Sequence, residues 1–276
     1  MSQYDFRMDA GRDKGVLLVH GLTGSPAEMR FVAKRLHREG FTVYAPTMAG
    51  HCADEAALLA TRYEDWVASV RAAIRRFAEE VKEIYVAGIC VGGAVGLLAA
   101  ELEPGLVKGA AIYSPLLNYD GWNVPFYYPW ARRLMPFFRH TPGLRRISFG
   151  EAPPYGLKSE RIRRAVVGNG EGIEGTLPKF PLLALNQHLR LNDALVAGLP
   201  GCRVPTLLIH AREDDVCHPR NAEKIQQLHG GRCEVAYLDD SYHMIHVDQQ
   251  RYEVARLTGE FFGMPPAAQM QEPQHG

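Results

Sequence analysis

A cysteine flanked by glycines, Cys90, stands where a β-rich run of the sequence meets a helical pattern of small residues. The segment reads Gly88-Ile89-Cys90-Val91-Gly92. Glycines at these two positions permit a tight turn between strand and helix that presents the central residue as a nucleophile. A thiol at a helix N-terminus has a lowered pKa, because the helix dipole stabilises the thiolate. The pattern favours nucleophilic catalysis by Cys90. The alternative at this point is a small buried cysteine before a glycine-rich helix.

Two carboxylates and two histidines downstream of Cys90 are candidates for the acid and the base. Asp214 and Asp215 follow one predicted strand, and His243 and His246 follow the next. A histidine can take the thiol proton, and a carboxylate can hold its ring in the correct tautomer. The order nucleophile, acid, histidine distinguishes one common triad arrangement from the others. Spacing alone leaves the choice within each pair open.

A glycine-containing loop, His20-Gly21-Leu22-Thr23-Gly24, follows the first long predicted strand. In a parallel sheet such a loop lies at the carboxyl edge, beside the nucleophile turn. Its backbone can supply one donor of an oxyanion hole, and the residue after the nucleophile supplies the other. The sequence therefore nominates the N–H groups of Leu22 and Val91. By itself, the loop is more typical of a glycine turn before a helix.

The elements that must position these residues alternate between short strands and longer helices. Strands are predicted at 16–20, 42–45, 84–88, 110–113, 206–210 and 235–238, and helices at 26–39, 64–80, 91–101, 220–228 and 254–262. This alternation predicts an α/β fold with a mostly parallel sheet and helices on both faces. The candidate residues then collect at the carboxyl ends of the strands, where such sheets bind ligands.

The stretch 115–200 interrupts the alternation and is rich in proline, glycine, arginine and aromatic residues. We interpret it as a lid inserted into a core made of 1–114 and 201–263. A structureless loop of this length is improbable in a domain, so the lid should contain short helices of its own. The polar tail 264–276 is predicted to be disordered.

Composition excludes several classes of protein. The 276 residues include 31 basic and 31 acidic side chains, so the net charge gives no basis for nucleic-acid binding. The sequence lacks an apolar run of the roughly 20 residues that span a bilayer, and the N-terminus lacks a signal-peptide core. The five cysteines form no CxxC pair, which disfavours a disulfide scaffold and a zinc site and favours the cytoplasm. Neither cofactor nor metal is expected.

Several motifs together resemble a known group of proteins. They are HGLTGSP, MAGHCAD, YEDWV, GICVGG, HAREDDVCHP and SYHMIHVDQ. The chain resembles the α/β-hydrolase superfamily, and within it the carboxylesterase and monoacylglycerol-lipase-like branch. The resemblance implies the α/β-hydrolase fold, Asp214 of the A-R-x-D segment as the acid and His243 of the S-x-H segment as the base. It makes Asp215 and His246 neighbours rather than triad members.

Cys90 departs from this branch, which resembles a serine family. In this respect the chain is similar to dienelactone hydrolases and polyhydroxyalkanoate synthases, which share the superfamily and use cysteine. Two origins fit the pattern: a native cysteine enzyme, or a serine replaced by cysteine to trap an acyl-enzyme. A thiolate leaves ester chemistry possible and forms a thioester that water, an amine or a thiol must discharge.

The predicted lid carries aromatic residues that could bury the acyl group of a substrate, among them Trp122, Phe126, Tyr127 and Trp130. The alternative is that they form the lid's own core. Basic residues are also dense in this stretch, which fits either an anionic handle on the substrate or a solvated surface.

These observations predict an enzyme that cleaves a carboxylic ester or thioester through Cys90, His243 and Asp214, with a covalent acyl-enzyme. Its partner is a small-molecule substrate with an apolar acyl group. Two alternatives remain open: acyl transfer by the same triad, and a hydrolase-fold protein that binds a small molecule without turnover.

Overall fold

A central sheet organises the computed structural model, which describes residues 2–125, 147–150, 152–167 and 174–263. The strands are β1 Phe6–Met8, β2 Lys14–Val19, β3 Thr42–Ala45, β4 Glu83–Ile89, β5 Val107–Tyr113, β6 Ser148–Gly150, β7 Lys179–Pro181, β8 Thr206–Ala211 and β9 Cys233–Leu238. The helices are α1 Arg30–Arg38, α2 Glu55–Leu59, α3 Tyr63–Ala78, α4 Val91–Glu101, α5 Glu160–Val167, α6 Leu182–Gly198, α7 Arg220–Leu228 and α8 Arg251–Gly263. A 3-10 helix at Pro26–Met29 precedes α1.

Seven of these strands form one sheet in the order β1-β3-β2-β4-β5-β8-β9. All neighbours from β3 to β9 are parallel, and β1 alone pairs antiparallel, with β3. The predicted α/β fold with a mostly parallel sheet is confirmed. Strand β1 was not predicted, because three residues are too few to show an alternating pattern.

Helices cover both faces of the sheet, as the alternation predicts. Along β2, Leu17 and Val19 join one hydrophobic cluster, which includes residues of α3, α4, α6 and α7. Val16 and Leu18 point to the other face, where they pack with residues of α1 and α8. Every one of these four side chains is fully buried. A strand buried on both faces needs apolar residues at consecutive positions, which explains the continuous run in β2.

The stretch between β5 and β8 contains more regular structure than the short helices that were predicted for it. Helix α6 has 17 residues, and its Leu191 and Leu195 belong to the core cluster that also contains residues of α3 and α4. Strands β6 and β7 form a separate antiparallel pair. The division of the chain into core and lid stays a prediction. The tail 264–276 and the lid aromatics Phe126, Tyr127 and Trp130 lie outside the described residues.

None of the described helices combines the length and the apolar composition needed to cross a membrane.

Candidate active site

The turn between β4 and α4 holds Cys90 in a conformation that few side-chain-bearing residues adopt, with φ 52° and ψ −118°. A positive φ at such a residue costs on the order of 1–3 kcal/mol, and it persists where the surroundings impose it. Here they do. A Cβ atom added at Gly92 would lie 2.1 Å from the His20 carbonyl oxygen, and one at Gly88 would lie 2.7 Å from the Gly92 backbone. The two glycines are therefore required by close backbone packing around Cys90.

Helix α4 starts directly after Cys90, so the thiol lies at its N-terminus. Ten of the eleven residues of α4 are buried, and the helix passes beneath the sheet with its small residues facing neighbouring strands. At Gly96, for example, a Cβ would lie 2.8 Å from a Val86 side-chain carbon. The small-residue pattern of α4 thus permits close packing, which fixes where Cys90 is presented.

The predicted oxyanion loop lies against this turn, because the His20 carbonyl oxygen contacts the first turn of α4 at Gly92. Burial, reinforced by His51, lowers the pKa of His20 to about 3, so its ring is neutral. Its Nε2 accepts a hydrogen bond from the Met48 N–H at 3.2 Å, and Nδ1 lies 2.9 Å from the Gly21 carbonyl oxygen. His20 therefore ties the loop to the segment after β3.

Neither of the predicted oxyanion donors, the N–H groups of Leu22 and Val91, has an acceptor within the described part of the chain. The loop is further held by Glu28, whose carboxylate accepts the Gly21 N–H. It also contacts the stretch before β7, where the Leu177 N–H donates to the Thr23 carbonyl at 2.9 Å. Two N–H groups without partners at a fixed loop and a helix N-terminus can receive a developing oxyanion.

Asp214 and His243 form a buried pair. His243 Nδ1 lies 2.9 Å from Asp214 Oδ2 and 3.1 Å from Oδ1, and the two residues are 3% and 6% exposed. Burial opposes the charge on His243, but attraction and hydrogen bonding to Asp214 and Cys217 together outweigh it and hold the pKa of His243 well above its usual range. Burial also opposes the charge on Asp214, but attraction and hydrogen bonding to His243, together with His210 and the Cys217 N–H, outweigh it and lower the carboxyl pKa. The pair therefore stabilises a protonated imidazole, as a general base requires after proton transfer.

The other two candidates do not make this contact. Asp215 Oδ1 accepts the backbone N–H of His243 at 3.2 Å, and Oδ2 accepts that of Gly156 at 3.2 Å. Asp215 thus holds the backbone of His243 rather than its ring. His246 is fully buried, and its ring nitrogens have no partner among the described residues. Burial and His243 lower the pKa of His246 to about 3.

Two consecutive residues at the end of β5 connect the turn that carries Cys90 to the loop that carries His243. The Cys90 N–H donates to the Tyr113 carbonyl at 2.9 Å. The next residue, Ser114, donates its hydroxyl to the His243 carbonyl at 2.6 Å. The parallel register places Gly88 of β4 beside Ile112 of β5, so these residues meet at one edge of the sheet. The structure thus brings the predicted Cys90, Asp214 and His243 to the same edge.

Sequence reasoning assigned no role to Cys217, which lies against the acid and the base. Its Sγ is 3.5 Å from Asp214 Oδ2 and 3.6 Å from His243 Nδ1. The thiol is fully buried, and burial together with the charge of Asp214 raises its pKa well above the usual range. The one signal in the sequence that could have indicated this contact was the position of Cys217 three residues after Asp214. In the structure both residues lie in one turn, where the Cys217 N–H donates to Asp214 Oδ1 at 2.8 Å.

Of the four lid aromatics named above, Trp122 alone lies among the described residues, and it is 60% exposed. Its Nε1–H donates to the Glu213 carbonyl at 3.1 Å, and its ring packs edge-to-face on Tyr242. A role in substrate binding stays a prediction for Trp122. A small apolar cavity opens instead beside Cys90, lined in part by Ala94, Leu97, Ile112, Leu117 and Leu195.

A strand–turn–helix elbow and a buried acid–histidine pair on a mostly parallel sheet define an α/β-hydrolase. The family model of the serine aminopeptidases, S33, matches residues 11–250, and the chain belongs to this family. This confirms the predicted superfamily. The family's name refers to serine, whereas this chain has Cys90 at the elbow.

Two curated relatives and one solved structure illustrate the similarity. A thermostable monoacylglycerol lipase of Bacillus sp. (strain H-257) is 30% identical over 255 residues, covering 90% of each chain. A carboxylesterase of Bacillus subtilis (strain 168) is 26% identical over 259 residues, covering 91% of this chain and 93% of the relative. A structure from work on the metagenome-derived lipolytic enzymes LipS and LipT has a TM-score of 0.76 and 26% identity, covering 94% of this chain and 96% of that one.

Proposed function

We propose that the protein hydrolyses carboxylic esters through a covalent acyl-enzyme on Cys90. The observation that carries the proposal is the buried Asp214–His243 pair, 2.9 Å apart, at the same sheet edge as the elbow. The names of two relatives, a monoacylglycerol lipase and a carboxylesterase, support an ester as the substrate. The side chains that line the small cavity beside Cys90 are apolar, so an acyl group on Cys90 would contact apolar surface.

In the proposed reaction, His243 takes the proton of the Cys90 thiol and Sγ attacks the ester carbonyl. The N–H groups of Leu22 and Val91 stabilise the tetrahedral oxyanion. His243 then gives its proton to the departing alcohol, and the thioester of Cys90 remains. A water molecule, deprotonated by His243, attacks this thioester and releases the acid and the thiol. Asp214 stabilises the imidazolium in both halves of the reaction.

A second candidate, acyl transfer, is favoured by one observation: the nucleophile is a thiol in a family named for serine. A thioester reacts readily with amines and thiols as well as with water. The same triad would then pass the acyl group to a small acceptor. Thioester substrates fit both reactions, because the Cys90 thiolate can attack the carbonyl carbon of a thioester and displace the substrate's thiolate.

The test is turnover of p-nitrophenyl esters by the intact chain and by Cys90→Ala, Cys90→Ser and Cys202→Ala. Cys202 is a buried free thiol outside the site and serves as the matched control. We expect steady release of p-nitrophenol by the intact chain and by Cys202→Ala, and loss of at least about a thousandfold in Cys90→Ala.

Other outcomes would contradict the proposal in distinct ways. One stoichiometric burst would indicate capture without turnover. Turnover that requires an added amine or thiol would indicate acyl transfer. Full activity in Cys90→Ala would exclude Cys90 as the nucleophile and leave the ester chemistry to another group. Cys90→Ser tests whether the thiol itself is required, since a serine hydroxyl in the same turn can use the same base.

A further inference from the structure

A cluster of three buried ligand-type side chains lies behind the acid–histidine pair. His210 is the fifth residue of β8, and Asp214 and Cys217 follow in the turn after it. His210 and Cys217 are fully buried and Asp214 is 3% exposed. Within the described residues these three form the one group whose ligand atoms converge as metal ligands do. The sequence spacing gave no sign of this, because the turn rather than the spacing brings them together.

Two of the three distances between the ligand atoms agree with those around a tetrahedral ion, and the third is longer. His210 Nε2 lies 3.5 Å from Asp214 Oδ2, Cys217 Sγ lies 3.5 Å from the same oxygen, and Sγ lies 3.9 Å from Nε2. Ligands of tetrahedral zinc are about 3.3–3.6 Å apart, given bonds of about 2.0–2.3 Å. The point in their plane that is equidistant from the three atoms lies about 2.1 Å from each, which is a zinc bond length for nitrogen and oxygen and about 0.2 Å shorter than one for sulfur.

A fourth ligand atom borders the same space. His243 Nδ1 lies 3.6 Å from Cys217 Sγ and 2.9 Å from Asp214 Oδ2. Imidazole, thiolate and carboxylate are the donors that zinc and related divalent ions bind. An ion at this position would occupy Asp214 Oδ2 and compete with the proton on His243 Nδ1, so it would disable the pair that the proposed reaction needs.

We propose that His210, Asp214 and Cys217, with His243 Nδ1 as the fourth donor, form an inhibitory binding site for a thiophilic divalent cation such as Zn²⁺. Binding breaks the hydrogen bond between Asp214 and His243 and releases the proton of the Cys217 thiol to solvent, while each histidine keeps one proton, on the ring nitrogen that does not bind the ion. It also displaces the contact between His210 Nε2 and the Cys217 carbonyl, now 3.0 Å. These losses oppose binding, so the inhibition should be reversible by a chelator.

Two readouts test the site, and only the first depends on ester hydrolysis. Zn²⁺ in about tenfold molar excess should lower kcat at least about tenfold, with KM changed less than about twofold, because the ion does not occupy the acyl site. The ratio of rates with and without Zn²⁺ is compared among the intact chain, Cys217→Ala, His210→Gln and the control Cys202→Ala. Normalising each variant to its own metal-free rate removes any loss of basal activity.

The second readout is the ultraviolet charge-transfer band of Cd²⁺ bound to a thiolate, recorded in a Cys90→Ser chain so that the elbow thiol does not contribute. We expect one equivalent of Cd²⁺ to produce the band, and we expect Cys217→Ala to abolish it while Cys202→Ala retains it. A band that survives Cys217→Ala, or no band at all, would overturn the proposal. So would Zn²⁺ inhibition that is unchanged in both Cys217→Ala and His210→Gln.

Discussion

Replacing Asp214 by asparagine tests the role of the carboxylate with little change in shape. In the structure Asp214 Oδ1 accepts the N–H groups of Val216 and Cys217 at 2.8 Å each, and Oδ2 faces His243 Nδ1. An asparagine can keep its oxygen on the two backbone donors, which leaves its NH₂ group facing the ring. That group donates, so it selects the tautomer in which Nδ1 has no proton, and Nε2 then cannot accept the thiol proton.

The expected loss in kcat is large. Loss of the orienting acid costs about 10⁴ in a serine triad, equivalent to about 5.5 kcal/mol of activation free energy. A thiol depends less on a base, so we expect a loss of about 10²–10⁴ if Cys90 is the nucleophile, as proposed. The acidic limb of the pH profile of kcat/KM should also move to lower pH. The carboxylate that now raises the pKa of His243 would no longer stabilise the imidazolium.

Asp215→Asn is the matched control, because it removes a buried carboxylate one residue away that binds backbone rather than the ring. Its kcat should fall less than about tenfold, while the loss of one buried acceptor costs about 1–3 kcal/mol of stability. The assay is p-nitrophenyl butyrate hydrolysis from pH 5 to pH 9, with thermal unfolding of each variant. A larger kcat loss in Asp215→Asn than in Asp214→Asn would refute the assignment.

Further predictions concern the nucleophile, the elbow, the acyl pocket and acid stability. Brief iodoacetamide labelling followed by mass mapping should find Cys90 alkylated before the other four cysteines, and a different leading cysteine would contradict its role. Gly92→Ala should lower the free energy of unfolding by more than about 3 kcal/mol in urea titration, since its Cβ would lie 2.1 Å from the His20 carbonyl oxygen; a loss below about 1 kcal/mol would show that the turn relaxes. kcat/KM should rise about fourfold per added acyl carbon until the pocket is full, whereas a flat response from acetyl to octanoyl would exclude an apolar acyl site. Burial lowers the pKa of His20 and His246 to about 3 and of His51 to about 4, so the unfolded chain binds more protons below about pH 6.5. The unfolding free energy should therefore fall between pH 6.5 and pH 4, by up to about 1.4 kcal/mol per pH unit for each group, and equal stability at the two pH values would be inconsistent with buried neutral rings.

The sequence predicted the parallel sheet well because the buried strands and their helices carry strong local patterns. Strand β3 and helices α4 and α7 begin and end at the predicted residues. A glycine or a proline lies within three residues of each of these boundaries, and its effect is local. Strand β1 lacks such a pattern, since its three residues are specified by pairing with β3. The full length of α6 was also missed, because its packing on the core depends on tertiary contacts.

The candidate site likewise contains parts that local sequence predicts and parts that depend on the tertiary structure. The elbow could be predicted because its glycines and the following helix are adjacent in sequence. The choice of Asp214 over Asp215 depended on resemblance. The side chains of adjacent residues in one turn point in different directions, and spacing cannot tell which of the two carboxylates faces the histidine ring. The approach of Cys217 and His210 to the acid depends on the path of the turn after β8, which no pattern in the sequence encodes.

The contact between the oxyanion loop and the stretch before β7 constrains how the enzyme could be re-engineered. The Leu177 N–H donates to the Thr23 carbonyl, and the Ser25 hydroxyl donates to the Glu174 carbonyl at 2.7 Å. Residues 174–177 therefore brace the loop that carries the Leu22 N–H. A chimaera that replaces the stretch after β5 with the corresponding stretch of another protein should return to this chain before residue 174. A junction after 177 would change the selectivity and also loosen the predicted oxyanion loop, and a screen could not separate the two effects.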